Sequence, residues 1–269
     1  MDRNALCEEI KRRVHTRSGS GVKVINIVGG AASGKTTLAN FLANYLGNAC
    51  TLSTDDYLVG DRTYRRENFE GKAPLLKYDP KKLIEDIIAI KELKAGEIHK
   101  VPTYNEETGV AIVAETYTKE ITPVKYIIVE GDFPFLVEPF LEKLKEATPD
   151  LSDYFDAFLQ ILKGNLPDIV AYLDVADDNR KNNRKMRDVR NGREVDDGAV
   201  DKSFELRQRT QHYPYTAPVK GYADIVITAD MKKGVAKDDD MYEYTMSFNH
   251  ANDWRNRNYY KNNPFEHNI

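Results

Sequence analysis

The chain has 269 residues, 41% of them hydrophobic and 30% charged, with a formal net charge of −4. That length suits one large domain, or one domain with a small appendage. The mild acidity argues against a general nucleic-acid binder, and no apolar run approaches the roughly 18 residues that a membrane helix needs.

Met1 to Arg17 is charged throughout and lacks the apolar core of a secretory signal, so a cytoplasmic protein is expected. Cys7 and Cys50, without CxxC spacing, read as reduced thiols. Ala5 to Val14 predicts a short amphipathic helix. Val22 to Val28 is an apolar, β-rich run closed by glycines and predicts a buried strand. Thr36 to Leu46 follows with helical spacing at Leu38, Phe41, Leu42 and Leu46. Cys50 to Ser53 predicts a second strand, ending in Thr54-Asp55-Asp56. Gly60 to Lys77 is polar and is expected to stay out of the core. Pro80 to Leu93 is helical, with Leu83, Ile84, Ile87 and Ile88 on one face.

His99 to Tyr104 and Ala111 to Tyr117 predict a hairpin around Asn105 to Gly109. Tyr126 to Val129 is a further strand, ending at Glu130-Gly131. Val137 to Leu162 is helical with a break near Pro149. Ile169 to Val175 is a strand, Asp177 to Arg190 a basic helix, and Asp224 to Thr228 the last core strand. Tyr242, Tyr244, Met246 and Phe248 alternate with polar residues, which predicts a late edge strand. The final 21 residues, with seven asparagines, read as a poorly packed tail. Strands alternating with helices predict an α/β fold, a mostly parallel sheet with helices on both faces.

The segment Gly29-Gly30-Ala31-Ala32-Ser33-Gly34-Lys35-Thr36, followed by Thr37, fits the phosphate-loop pattern G-x-x-x-x-G-K-[ST]. Small residues let backbone N–H groups surround phosphate oxygens, and the helix that follows adds its N-terminal amides. Lys35 is expected to reach the β- and γ-phosphates of ATP, and the Thr36 hydroxyl to ligate Mg²⁺. The bland alternative is an ordinary glycine-rich turn. Neither the N-K-x-D guanine motif nor an ABC-type signature occurs.

Transfer to a small hydroxyl acceptor needs a carboxylate for the hydroxyl, an acceptor pocket and cations over the moving phosphoryl group. Asp55 and Asp56 end a strand on the side where such sheets bind ligands. Either can take the acceptor's proton or hold Mg²⁺, or both can belong to a turn. Glu130 ends another strand and suits a Mg²⁺ role, the alternative being a solvated strand terminus. Arg184, Arg187 and Arg190 lie three apart, close to one helical face, and are expected to close over the phosphates. A solvated basic helix and a nucleic-acid patch are the alternatives, the latter without interleaved aromatics.

These segments together resemble the uridine kinase and phosphoribulokinase family of P-loop kinases over roughly residues 22 to 230. The loop GGAASGKTT is similar to the uridine kinase loop. Ser53-Thr54-Asp55-Asp56-Tyr57 resembles the segment with the catalytic aspartate, which implies that role for Asp55. Tyr78-Asp79-Pro80 resembles the segment whose aspartate binds acceptor hydroxyls, and Val101-Pro102-Thr103-Tyr104 the hairpin whose tyrosine packs on the acceptor. Asp79 is equally a helix N-cap before a proline, and Tyr104 equally a packing residue. Glu130-Gly131 is similar to the pair associated with Mg²⁺. Arg184-Lys185-Met186-Arg187-Asp188 with Gly192-Arg193 resembles the arginine-rich lid, which implies phosphate contacts for Arg184, Arg187 and Arg193. Pro218 to Asp224 is similar to the entry to the last core strand.

The resemblance implies an ATP- and Mg²⁺-dependent kinase of a small metabolite, a nucleoside first and a sugar, sugar phosphate or other alcohol next. It implies a kinase domain over 1–230, with a hairpin near 98–120 and a lid near 177–195, and an extension over 231–269. Asp55, Asp56, Asp79 and Tyr104 would face the acceptor. No nucleic acid or membrane partner is expected. Three departures stand out. No histidine follows Tyr104 between Asn105 and Gly109. The stretch after Glu130 is about 20 residues longer than in uridine kinases, which either reshapes the acceptor pocket or builds a homo-oligomer interface. The lid is one residue shorter between Asp188 and Gly192. A nucleotide-binding regulatory protein without transfer, and a nucleic-acid kinase, are the rival readings.

Overall fold

The computed structural model describes residues 1–17, 20–105, 109, 118–190, 192, 196–231 and 242–249. Helix α1 (Arg3–Arg17) leads into β1 (Lys23–Gly29), α2 (Lys35–Leu46) and β2 (Ala49–Ser53). After a 3₁₀ turn at Thr54–Tyr57 come α3 (Arg62–Phe69), a 3₁₀ turn at Pro74–Lys77 and α4 (Pro80–Glu92). The strands β3 (His99–Pro102) and β4 (Thr118–Ile121) form a separate two-stranded sheet before β5 (Tyr126–Gly131). Helices α5 (Glu138–Ala147) and α6 (Ser152–Lys163) lead to β6 (Ile169–Asp174), α7 (Asp177–Arg190) and α8 (Asp197–Arg207). A π-helical stretch (Gln208–Thr216) and a 3₁₀ segment (Ala217–Tyr222) precede β7 (Ile225–Met231) and β8 (Tyr242–Phe248).

The main sheet has the order β2-β5-β1-β6-β7-β8, parallel except where β8 runs antiparallel to β7. The central strands are buried on both faces, as their continuous apolar runs require. Successive side chains point to opposite faces. Val24, Leu52, Ile127 and Val129 therefore pack under Leu83, Ile84 and Ile87 of α4 and Phe155, Phe158 and Leu162 of α6. Ile25, Ile27, Ile128, Ile169 and Ile227 pack on the other face, under Leu6 and Ile10 of α1 and Leu38 and Leu42 of α2. Fully burying one such side chain contributes about 1.5–3 kcal/mol, so two apolar faces are the main source of stability.

Register does the positioning. Ser53 of β2 and Ile27 of β1 both lie beside Glu130 of β5, and Val28 lies beside Gly131. The carboxyl ends of three strands are thus level, and the turns that leave them share one edge of the sheet.

One expectation needs correction. The polar stretch 60–77 is not excluded from the core. It contains α3, capped by Asp61, whose carboxylate accepts from the Tyr64 N–H at 2.7 Å, and Leu75 is buried. The buried side of α3 is Arg65, which apolar periodicity cannot reveal. Its guanidinium donates to the carbonyls of Val59, Gly60 and Gly109. The strand pairing with β3 is Thr118–Ile121, with His99 opposite Ile121. The expected strand 111–117 lies outside the described residues, as does nearly all of the Asn-rich tail.

Candidate active site

The phosphate loop begins where β1 stops. The Ser33 N–H donates to the Gly30 carbonyl at 3.1 Å, and the chain turns through left-handed backbone at Ala32 (φ 60°) and Gly34 (φ 90°). Gly34 suits the second position because it has no Cβ to strain. Gly30 is needed for space: a Cβ there would overlap the buried Arg180 guanidinium. Lys35, almost fully buried, donates from Nζ to the Gly30 carbonyl at 2.9 Å and to Asp132 at 2.6 Å. The Thr36 hydroxyl donates to Glu130 at 3.1 Å. Burial pushes the Glu130 carboxyl up, partly offset by Lys35.

Level with this loop, Ser53 caps the turn that follows β2. Its hydroxyl accepts from the Asp55 N–H, and the Asp56 carboxylate reaches back to the Ser53 N–H at 3.3 Å. Asp56 also accepts from the Tyr104 N–H at 2.8 Å, so it ties the hairpin to β2. Asp55 is turned outward and is exposed, with the Tyr78 hydroxyl donating to it at 3.2 Å. The cleft walls still ring its carboxyl. That desolvation, then the negative charges of Asp132 and Glu130, push it up to about 6. Asp132 behaves differently. Burial raises it, but Lys35, Arg207 and Arg180 outweigh burial and hold it below its ordinary value.

These groups line a cleft of about 530 Å³. Its floor is the loop from Ala31 to Thr37 without Ser33, with Ser53, Asp55, Asp56, Glu130, Gly131 and Asp132 along one wall. Tyr104 comes from the hairpin, Asn183, Met186, Arg187 and Arg190 from α7, Arg207 from α8, and Tyr242 from β8. Ser33 is buried within the loop, and Gly29 and Gly30 lie beneath it, out of the lining.

Besides these three loop residues, two expected site residues are not brought to the cleft. Arg184 donates to the Ser203 hydroxyl at 2.8 Å and faces Asp188, binding α7 to α8. Residues three apart on a helix differ by about 60° in direction, so Arg184 and Arg190 diverge by about 120° and cannot both face the cleft. Asp79 caps α4, accepting from the Lys82 N–H at 2.9 Å, and is not among the lining residues. Arg193 lies outside the described residues. Conversely, Asp132, Asn183, Arg207 and Tyr242 were not expected. Asp132 alone had a local signal, a second acid directly after Glu130-Gly131.

The oxygen donors of Thr36, Glu130 and Asp55 are the hard ligands that suit Mg²⁺. No group of three or more His, Cys, Asp or Glu among the described residues forms a cage for a metal by itself. Among the described residues no helix is long and apolar enough to cross a membrane.

The sequence model of the Phosphoribulokinase / Uridine kinase family matches residues 24–236. A uridine kinase from Staphylococcus aureus (strain JH9) is 29% identical over 221 residues, covering 80% of this chain and 91% of that protein. Among solved structures, a D-glycerate 3-kinase from Cryptococcus neoformans var. grubii superposes with a TM-score of 0.59 at 15% identity, covering 84% of this chain and 94% of the other. Phosphoribulokinase from Rhodobacter spheroides gives a TM-score of 0.50 at 15% identity, covering 85% and 80%. At such identities the structures speak to the fold, which is the same mostly parallel arrangement.

Proposed function

The chain belongs to the phosphoribulokinase/uridine kinase family and is an ATP-using phosphotransferase acting on an alcohol group of a small metabolite, and we propose that this alcohol is a nucleoside hydroxyl. The observation that carries the reading is the pairing of Lys35 and Asp55 across one cleft. The lysine is buried at the base of the loop, and the carboxylate is exposed in the same cleft with a raised pKa. A group that titrates near 6 is ionised at neutral pH yet basic enough to accept a hydroxyl proton.

The loop amides and Lys35 hold the triphosphate, for which Lys35 exchanges Asp132 for phosphate oxygens. Asp55, oriented by the Tyr78 hydroxyl, takes the acceptor's proton. Asp56 positions Tyr104, which lines the acceptor side. Arg187, Arg190 and Arg207 neutralise charge on the moving phosphoryl group. Thr36 and Glu130, with Asp55 beside them, would hold Mg²⁺, which when bound offsets charge on the β- and γ-oxygens. The family relation to a uridine kinase across 91% of its length supports a nucleoside. The absence of histidine between Asn105 and Gly109 argues for base recognition by other groups.

The test is ADP release from ATP–Mg²⁺ across a panel of nucleosides, sugars and small alcohols. A nucleoside is expected to stimulate release most. Stimulation by a sugar or alcohol alone overturns the acceptor, and ATP binding without any stimulation supports a regulatory protein instead.

A further inference from the structure

Three distant parts of the chain meet at the outer rim of the phosphate loop. Ala32 holds left-handed backbone there, which costs an ordinary residue about 1 kcal/mol or more and persists only when the surroundings hold it. Its carbonyl accepts from Asn183 Nδ2 at 3.0 Å. The Asn183 Oδ1 accepts in turn from the Tyr242 hydroxyl at 2.7 Å. The amide orientation follows from chemistry, because only the NH₂ group can face a carbonyl. Asn183 stands one turn before Arg187 on α7. Tyr242 opens β8, opposite Met231 of β7, beyond the family match that ends at residue 236. All three residues line the cleft.

We propose that Tyr242, acting through Asn183, is a positioning residue that holds the phosphate loop in the shape that accepts the triphosphate of ATP. The C-terminal strand thus supports the nucleotide site and fixes the lid helix against the loop. This rests on the reading of the loop as the ATP site. Tyr242 is stationary because β8 is pinned along its length by β7. Its backbone is anchored further along, where the Tyr244 N–H donates to the Met1 carbonyl at 3.2 Å. The lid helix is therefore held at its nucleotide end by a strand of the sheet.

The experiment is calorimetric titration of the full chain with ATP–Mg²⁺ and, separately, with inorganic tripolyphosphate. The variants are Tyr242→Phe, Asn183→Ala and the double replacement. Tyr242→Phe keeps the ring and the strand pairing and removes one hydrogen bond. It is expected to weaken both ligands alike, by about 3- to 10-fold, and to lower the melting temperature of the ligand-free protein by no more than about 2–4 °C. Asn183→Ala is expected to weaken both at least as much, and the double variant no more than Asn183→Ala alone. If the wild type binds ATP and Tyr242→Phe binds it equally well, the relay is wrong while the ATP site stands. If ATP weakens but tripolyphosphate does not, the tyrosine touches the nucleoside directly, and the relay is again overturned. Additive effects in the double variant also refute it. A wild type that binds neither ligand removes the ATP reading itself.

Discussion

Replacing Asp55 by Asn probes the proposed base and the electrostatics of the cleft together. Its carboxyl is pushed from 3.8 to about 6, first by desolvation and then by Asp132 and Glu130. A folded-state pKa above the unfolded one means that the ionised group opposes folding. Below about pH 4 the carboxyl is protonated in both states and the penalty is absent; it grows between pH 4 and 6 and is complete above that. A shift of roughly two units corresponds to about 3 kcal/mol. Asp55 is exposed, and solvent screening reduces this to about 1 kcal/mol. For a chain of this size that is about 2–4 °C in melting temperature. Thermal unfolding of wild type and Asp55→Asn, with EDTA and without nucleotide, measures it. At pH 8 the variant is expected to melt higher by that amount, and the difference to vanish as the pH falls to 4. Phosphoryl transfer should drop by about 10²- to 10⁴-fold. A variant with the same stability offset at both pH values, or with normal transfer, refutes the account.

Lys35→Met removes the proposed charge-assisted contact to phosphate and strands Asp132. ATP titration should show a loss of affinity of about 10- to 100-fold. Gly30→Ala drives a methyl into Arg180, whose guanidinium is fixed by the Val175 carbonyl, Asp177 and Gln208. Overpacking of this kind costs about 1–3 kcal/mol, so a lower melting temperature and loss of ATP binding are expected together. Asp86 is fully buried and accepts from the Tyr57 hydroxyl, Lys82 and His99. Asp86→Ala leaves those partners unmatched at a cost of about 3 kcal/mol. Thermal unfolding should register it as a fall of several degrees, with ATP affinity unchanged.

The central strands and their helices were readable because a chain buried on both faces must be largely apolar, as in Ile127 to Val129 and, apart from the buried Asn26, in Val24 to Val28. The phosphate loop was readable for a different reason. Its chemistry is local, with close backbone approach and one lysine all within eight residues. Helix α3 escaped because its buried residue is an arginine satisfied by carbonyls. Helix α8 carries Arg207 to the cleft on a segment that offered no motif.

What the residues alone determined, then, were the α/β alternation, the loop and the set of acids at strand ends. The tertiary structure decided which of those groups share a space. Asp55 and Asp56 are chemically identical neighbours that both line the cleft, and only the capping turn separates their partners, tying Asp56 to the Ser53 and Tyr104 backbones and leaving Asp55 to the Tyr78 hydroxyl. Arg184 and Arg187 are equally cationic, and only the rotation of α7 against α8 gives the first to Ser203 and the second to the cleft. Tyr242 reaches Asn183, which in turn holds the Ala32 carbonyl about 200 residues earlier, because the sheet brings β8 beside β7. Side-chain direction and long-range pairing depend on contacts between residues distant in sequence, and no local pattern encodes them.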